Sequence, residues 1–353
     1  MERKQYRQIT SLKGLLIMTI VLAHAKGFFQ IEYIPGLRFI VDHMLDYANF
    51  FFFLISGFLI STSYRDRIAD GSIDFLHFMW KRIRKLYPYY IVTNLVVIAI
   101  NMLQNGFYQT INVMLFVKMA FMMQFGWFGN VEIFNYPTWF VCILMQCYLL
   151  YYYLAKQYRK NKDRYYVLAM LIPIFGHLMS FNNWNFPFIS KANGEGYLCF
   201  FVGVLFSELV RLISSLSKER QKKVIRYGNI ISLVVLAVLG AGTAIYSFSV
   251  FAGNILAVNA VIVGPIILFL AIYFRPYEWL LSLKPFYALG KISMAVYFWH
   301  APLMIGFNAI RENSEWLQSL PHSVQFSVFF VFMMLFCIGS YFVFEKRCFH
   351  DKT

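Results

Sequence analysis

Charge is scarce in this chain, and acid is scarcer than base. Of 353 residues only 14% are charged, with 17 Asp+Glu against 32 Lys+Arg and a net charge of +15. A soluble domain usually carries about a quarter charged residues, so a water-exposed globule is excluded. Cysteine is also sparse. Cys142, Cys147, Cys199 and Cys337 fall within apolar runs and Cys348 in the tail. None sits at metal-ligand spacing and none supports an extracellular disulfide framework, so no metal site is expected. Gly/Ser/Pro-rich linkers, low-complexity tracts and internal repeats are missing too, which argues for one polytopic domain over residues 1–353. What remains is grease. The hydrophobic fraction is 59%, aromatics reach 20% and the mean hydropathy is positive, the composition of an all-α integral membrane bundle with interfacial aromatic belts.

Apolar runs of spanning length fall at 9–27, 45–62, 89–104, 137–155, 165–181, 197–213, 227–248, 254–273, 290–308 and 323–344. With the N-terminus inside, the cationic clusters Arg65 to Lys85, Lys156 to Arg164, Arg211 to Arg226 and Arg275 to Lys291 all become cytoplasmic. The outside keeps only Lys26, Arg38, Lys118, Lys191 and Arg311, so 27 of the 32 Lys+Arg are inside. That asymmetry is the positive-inside pattern. The basic excess therefore reflects topology and not nucleic-acid binding. The run 111–125 would invert every later loop if it crossed, and is expected to be re-entrant or interfacial. Ten spans with both termini cytoplasmic result. The first run follows a basic N-terminus without a small-residue cleavage site, so it is expected to be a retained helix.

Within this frame the first span, LKGLLIMTIVLAHA, carries Lys13 and His24 with nothing ionisable between them. Eleven helical steps return to within about 20° and climb roughly 16 Å, so the two groups share one stripe at opposite depths. Snorkelling to the inner interface is a sufficient account of Lys13. His24 is a functional candidate by default, as an ionisable residue inside a membrane helix, and histidine is the usual general base near neutral pH.

Five further stretches stand out, each with a plain structural alternative. FFFFLISGFLIS places Ser56 and Gly57 within a wall of Phe, where small residues permit close helix approach. KRIRKLYPYY sets Lys81, Arg82, Arg84 and Lys85 at the mouth of the third span. That cluster serves topology, and also suits an anionic phosphate arriving from the cytoplasm. PTWFVCILMQ opens the fourth span with Trp139, an ordinary interfacial residue. GKISMAVYFWHAPLM buries Tyr297, Trp299 and a second histidine, His300, in mid-membrane. YFVFEKR ends the last span with Glu345 among bases, read as interface chemistry.

Taken in this order, the stretches resemble the membrane acyltransferase-3 family of bacterial O-acyltransferases, over about residues 7–347. His24 matches the family's catalytic histidine, Ser56-Gly57-Phe58 its S-G-F, and Arg82 the first arginine of its R-x-x-R pair. Trp139 leads the fourth helix as in the family. Tyr297, Trp299 and His300 match its late iSYsiYlwH stretch. Lys13 and Lys85 stand where the family usually has arginine, which keeps the charge and loses a planar bidentate fork. The acid that many members place on the fourth helix is absent.

The resemblance implies transfer of an acyl group, most often acetyl, from cytoplasmic acyl-CoA to a hydroxyl of a cell-surface or exported glycan. The enzyme would lie in the bacterial cytoplasmic membrane and hold no tightly bound cofactor, with acyl-CoA as co-substrate. Arg82, Arg84 and Lys85 would hold the anionic donor, and its pantetheine arm would run along the Lys13–His24 stripe to His24 as base. Ser56, Trp139, Tyr297, Trp299 and His300 would line the substrate path. The partners expected are acyl-CoA, a glycan or lipid-linked saccharide, and the bilayer, with no nucleic acid. Three other readings compete. A secondary transporter would use His24 and His300 as a proton relay, but no paired halves are visible. The others are another membrane acyltransferase family and a non-catalytic sensor on the same scaffold.

Overall fold

The computed structural model describes residues 6–31, 45–106, 113–128, 133–246 and 255–346. Arg3, Lys4, Arg38 and Cys348, with positions 111–112, 247–248 and 254 of the runs above, lie outside the described residues.

The chain is an almost wholly helical bundle. Helix α1 covers Arg7–Phe29 and stops at Gln30, whose left-handed φ of 50° turns its N–H back to the Lys26 carbonyl. Helix α2, Leu45–Ala69, is joined by a tight turn to α3, Phe75–Asn105, which Asp74 caps by accepting from the His77 N–H at 2.8 Å. A short α4, Val113–Ala120, lies in the run read as re-entrant; at eight residues it is about 12 Å long, too short to cross. A 3-10 turn, Tyr136–Thr138, feeds α5, Trp139–Lys160. Asn161 then caps α6, Lys162–Phe181, by accepting from the Arg164 N–H. A two-residue hairpin, β1 Asn185–Phe186 and β2 Ile189–Ser190, leads into α7, Lys191–Ser215. Helix α8 is Lys218–Tyr246. Helix α9 runs through Ile255–Val258, a π-turn at Asn259–Val263, and Gly264–Tyr273. The remainder is α10 Arg275–Leu281, α11 Lys284–Glu312, α12 Glu315–Ser319 and α13 His322–Tyr341, ending in a π-turn at Phe342–Lys346.

Among the described residues, eight helices are long and apolar enough to cross a membrane. The other two expected spans lie on α2 and α11, of 25 and 29 residues, long enough at 1.5 Å per residue but with more polar residues along them. Both are enclosed by other helices, which lets them carry polar groups that lipid would reject. The most apolar window of α5 is 78% buried within the protein, and that of α8 only 6%. So α5 is central, while α8 presents nearly all its surface to lipid.

Two seams organise the interior. Where α1 meets α11, a methyl on Gly14 would lie 2.5 Å from the Gly290 N, and one on Gly290 would lie 1.9 Å from the Thr10 carbonyl oxygen. Where α2 meets α7, a methyl on Gly57 would strike the Phe200 carbonyl at 1.9 Å and one on Gly203 the Leu54 carbonyl at 2.0 Å. Backbones this close need glycine. The S-G-F stretch thus serves the second seam. Ser56 Oγ donates to the Phe52 carbonyl of its own helix at 2.7 Å, and Phe58 is buried against Phe206 and Tyr6.

Candidate active site

From the Gly14–Gly290 contact, ten residues along α1 reach His24 and ten along α11 reach His300. The two helices run parallel, since both contacts join equal steps in the same direction. Each climb is about 15 Å. There His24 Nδ1 lies 3.0 Å from His300 Nε2, with ring centroids 5.1 Å apart and planes only 13° from parallel. Further along, Phe29 meets Phe307, and the Arg311 guanidinium donates to the Phe28 carbonyl, closing the seam above the histidines.

The hydrogen bonds fix which nitrogen carries which proton. His300 Nδ1 is 2.8 Å from the Tyr297 carbonyl oxygen and 3.1 Å from that of Val296. Carbonyls only accept, so Nδ1 carries the hydrogen and Nε2 of the neutral ring holds a lone pair. His24 Nδ1–H therefore donates to His300 Nε2. The remaining lone pair is on His24 Nε2, which no group among the described residues engages. His300 is fully buried and His24 partly exposed. This order of groups, with a base oriented by a partner that the backbone orients in turn, is that of an activated general base.

Residues that sequence reasoning missed complete the surroundings. Tyr136 stands edge-on to His24 at 4.8 Å, and its buried hydroxyl has no partner among the described residues. Its turn is pinned from two sides. Tyr297 OH donates to the Pro137 carbonyl, and Thr138 Oγ1 donates to the Asn135 carbonyl at 2.7 Å. Asn135 Nδ2 donates to Thr93 Oγ1 at 3.1 Å and to the Phe298 carbonyl at 3.2 Å. Its backbone N–H donates to Asn94 Oδ1, and Gln124 Nε2 donates to Tyr90 OH at 2.9 Å. The signal was present in YIVTNLVV, where Thr93 and Asn94 interrupt an apolar run.

The other predicted residues take distinct places. Trp299 Nε1 donates to Ser340 Oγ at 2.8 Å and packs on Phe336, tying α11 to α13 away from His24. Trp139 packs among Phe53, Phe125 and Phe140. Lys13 is adjacent to Gly14 at the far end of the seam, where it interacts electrostatically with Lys85 and with Glu345. Glu345 also accepts from Tyr89 OH at 3.3 Å. Arg82 donates to Tyr64 OH at 2.5 Å and lies over that ring, its buried Nε without a partner among the described residues. Arg84 is exposed. The structure thus gathers Lys13, Lys85 and Glu345 at one end and His24, His300 and Tyr136 at the other. Ser56 and Trp299 belong to helix packing. Among the described residues no group of three metal-ligating side chains converges.

A family model described as an acyltransferase domain, the third of that type, matches residues 6–343. No curated protein and no solved structure gives a match. With that match over nearly the whole chain and a bundle of membrane-spanning helices beneath it, the chain belongs to the acyltransferase-3 family and is a multi-pass membrane acyltransferase.

Proposed function

We propose that the protein transfers an acyl group, acetyl in the first instance, from cytoplasmic acyl-CoA to a hydroxyl of a glycan carried on the outer side of a bacterial cytoplasmic membrane. The observation that carries this reading is the free lone pair on His24 Nε2, left by the His300 pair and its two backbone carbonyls. In this reading His24 Nε2 takes the proton of the acceptor hydroxyl as its oxygen attacks the thioester carbonyl. The C–S bond then breaks, and the imidazolium returns the proton to the departing thiolate, leaving CoA thiol and the ester. His24 Nδ1–H donates to His300 throughout, so the ring does not turn between the two transfers.

The donor's phosphates meet Lys13, Lys85, Arg82 and Arg84 at the other end, as anions suit a cationic mouth. The arm then follows the roughly 16 Å of helix that separates Lys13 from His24. Glu345 lies near enough to both lysines to offset part of their charge in the absence of donor. Ten crossings with both termini inside, and 111–125 not crossing, place the cationic end in the cytoplasm and His24 toward the acceptor.

The test is mass spectrometry of surface polysaccharides from cells expressing wild type, the His24→Gln variant, or neither. Wild type alone should add one acyl mass, removable by mild base. Acylation persisting with the glutamine variant would remove the basis for the proposal.

A further inference from the structure

One backbone carbonyl beside the histidine pair has lost its helical donor. Pro302 lies inside α11, two residues beyond His300. In a regular helix the N–H of residue 302 donates to the carbonyl of residue 298, and proline has no N–H to give. The open Phe298 carbonyl is filled from elsewhere in the chain, since Asn135 Nδ2 donates to it at 3.2 Å. The two carbonyls before it, of Val296 and Tyr297, accept from His300 Nδ1–H. Three consecutive carbonyls of α11 thus serve the site, two of them holding His300 and the third held by Asn135.

Asn135 is fully buried. Its Nδ2 also donates to Thr93 Oγ1 at 3.1 Å, and its N–H to Asn94 Oδ1 at 3.2 Å, both on α3. Its own carbonyl accepts from Thr138 N–H at 2.9 Å and from Thr138 Oγ1 at 2.7 Å, closing the turn that carries Tyr136. An asparagine just ahead of a helical turn ordinarily spends its side-chain oxygen on capping the first N–H groups. Here there is no such cap, and Oδ1 has no partner among the described residues. A carbonyl only accepts, so the Phe298 contact fixes the carboxamide with its nitrogen toward α11. A buried acceptor left unmet is costly. The side chain forgoes both its cap and its acceptor bonds to reach the carbonyl that Pro302 leaves open.

We propose that Asn135 is a positioning residue of the histidine pair. Through the Phe298 carbonyl it fastens α11, two residues short of His300, to α3 and to the Tyr136 turn. His300 Nε2 is thereby held where His24 Nδ1–H donates to it. The inference rests on the reading of His24 as the base. A misplacement of about 1 Å at such a pair costs up to about a hundredfold in rate.

The experiment follows label from radiolabelled acetyl-CoA into the glycan fraction of inverted membrane vesicles holding the full chain, with thermal melts of the same variants. Asn135→Leu keeps the bulk of the side chain and removes the donor. It should lower kcat about ten- to hundredfold, with KM for acetyl-CoA within about threefold of wild type. Its melting midpoint should drop by a few degrees, because the Phe298 carbonyl is stranded. Pro302→Ala supplies the missing N–H from within α11, so the double variant Asn135→Leu/Pro302→Ala should melt close to Pro302→Ala alone. Its kcat should still lie about tenfold or more below that of Pro302→Ala, because a bond inside the helix does not tie α11 to the turn. Recovery of kcat together with the melt would reduce Asn135 to filling a carbonyl and overturn the proposal. An unchanged kcat in Asn135→Leu, or a KM that rises as far as kcat falls, would overturn it too. His24→Gln is assayed alongside. Turnover lost there but kept in Asn135→Leu overturns the positioning role alone, whereas turnover kept in His24→Gln overturns the reading beneath it.

Discussion

The α1–α11 and α2–α7 seams are built alike and finish differently. Both are parallel helix pairs drawn together at glycines. Beyond its glycines, the α2–α7 seam pairs most of its polar groups, largely across the interface. Ser207 Oγ donates to Ser61 Oγ at 2.6 Å, Arg65 pairs with Glu208 and Asp66, and Arg211 pairs with Asp66 at 2.9 Å. Tyr165 OH adds a hydrogen bond to Glu208, and the Arg65 guanidinium lies over the Tyr158 ring at 3.9 Å. Beyond its own glycines, the α1–α11 seam leaves a lone pair on His24 and a hydroxyl on Tyr136 unused. One seam spends most of its polar groups on contacts within itself, the buried Arg211 Nε excepted, and holds the bundle together. The other keeps capacity in reserve, which a site that must engage substrate requires.

Substitutions can separate the two. The largest effect is expected at His24. His24→Gln keeps size and hydrogen bonding but cannot shuttle the proton, so acyl transfer should fall at least about a hundredfold. Its thermal midpoint should stay near wild type. In the wild type the rate should also fall as pH drops through the range in which His24 protonates, because imidazolium cannot accept. A glutamine variant with most of its activity would make this seam as structural as the other.

Next comes Arg65→Met in the α2–α7 seam. The Arg65 and Glu208 side chains are only 9% and 10% exposed, and stranding a buried carboxylate costs about 3–5 kcal/mol. Thermal melts should show a large drop while turnover per folded molecule is kept. Loss of turnover at full stability would reverse the assignment of the seams. Gly290→Ala should cost about 1–3 kcal/mol, the usual range for overpacking. Unlike Arg65→Met it should also lower turnover, since it pushes α1 off α11 below the histidines. Equal losses of turnover from Gly290→Ala and Gly203→Ala would argue against that link. The smallest effect is expected far from both. Asp74→Ala removes the α3 cap for about 1 kcal/mol, and should shift the melting midpoint without touching turnover.

The sequence made the bundle legible, because spanning length and basic asymmetry are properties of segments. His24 and His300 were legible as single residues, since each interrupts an apolar run. Their contact was not, because 276 residues separate them and only the Gly14–Gly290 approach sets their relative height. Ser56 and Trp299 stand in the same kind of motif as His300, yet the fold turns Ser56 onto its own helix and Trp299 toward Ser340. Glu345 was dismissed as interface chemistry. Its neighbours Lys13 and Lys85 come from two other helices, a convergence that no local pattern encodes. Tyr136 lay in a turn just ahead of the fourth run, where periodicity is silent.

The equal ten-residue interval between glycine and histidine on α1 and α11 has a consequence for how this protein can change in length. One residue inserted between Gly14 and His24 would turn the imidazole by about 100° and raise it by about 1.5 Å. A matching insertion in α11 would restore the level but rotate both rings out of the seam together. Seven residues in each helix would nearly restore the facing, at about 20° short of two turns, but lift the pair roughly 10 Å past Tyr136 and its pinned turn. No insertion in these two intervals preserves height, facing and surroundings at once. Insertions that keep this arrangement would have to fall in the loops, and the intervals behave as a fixed gauge between the cationic end and His24.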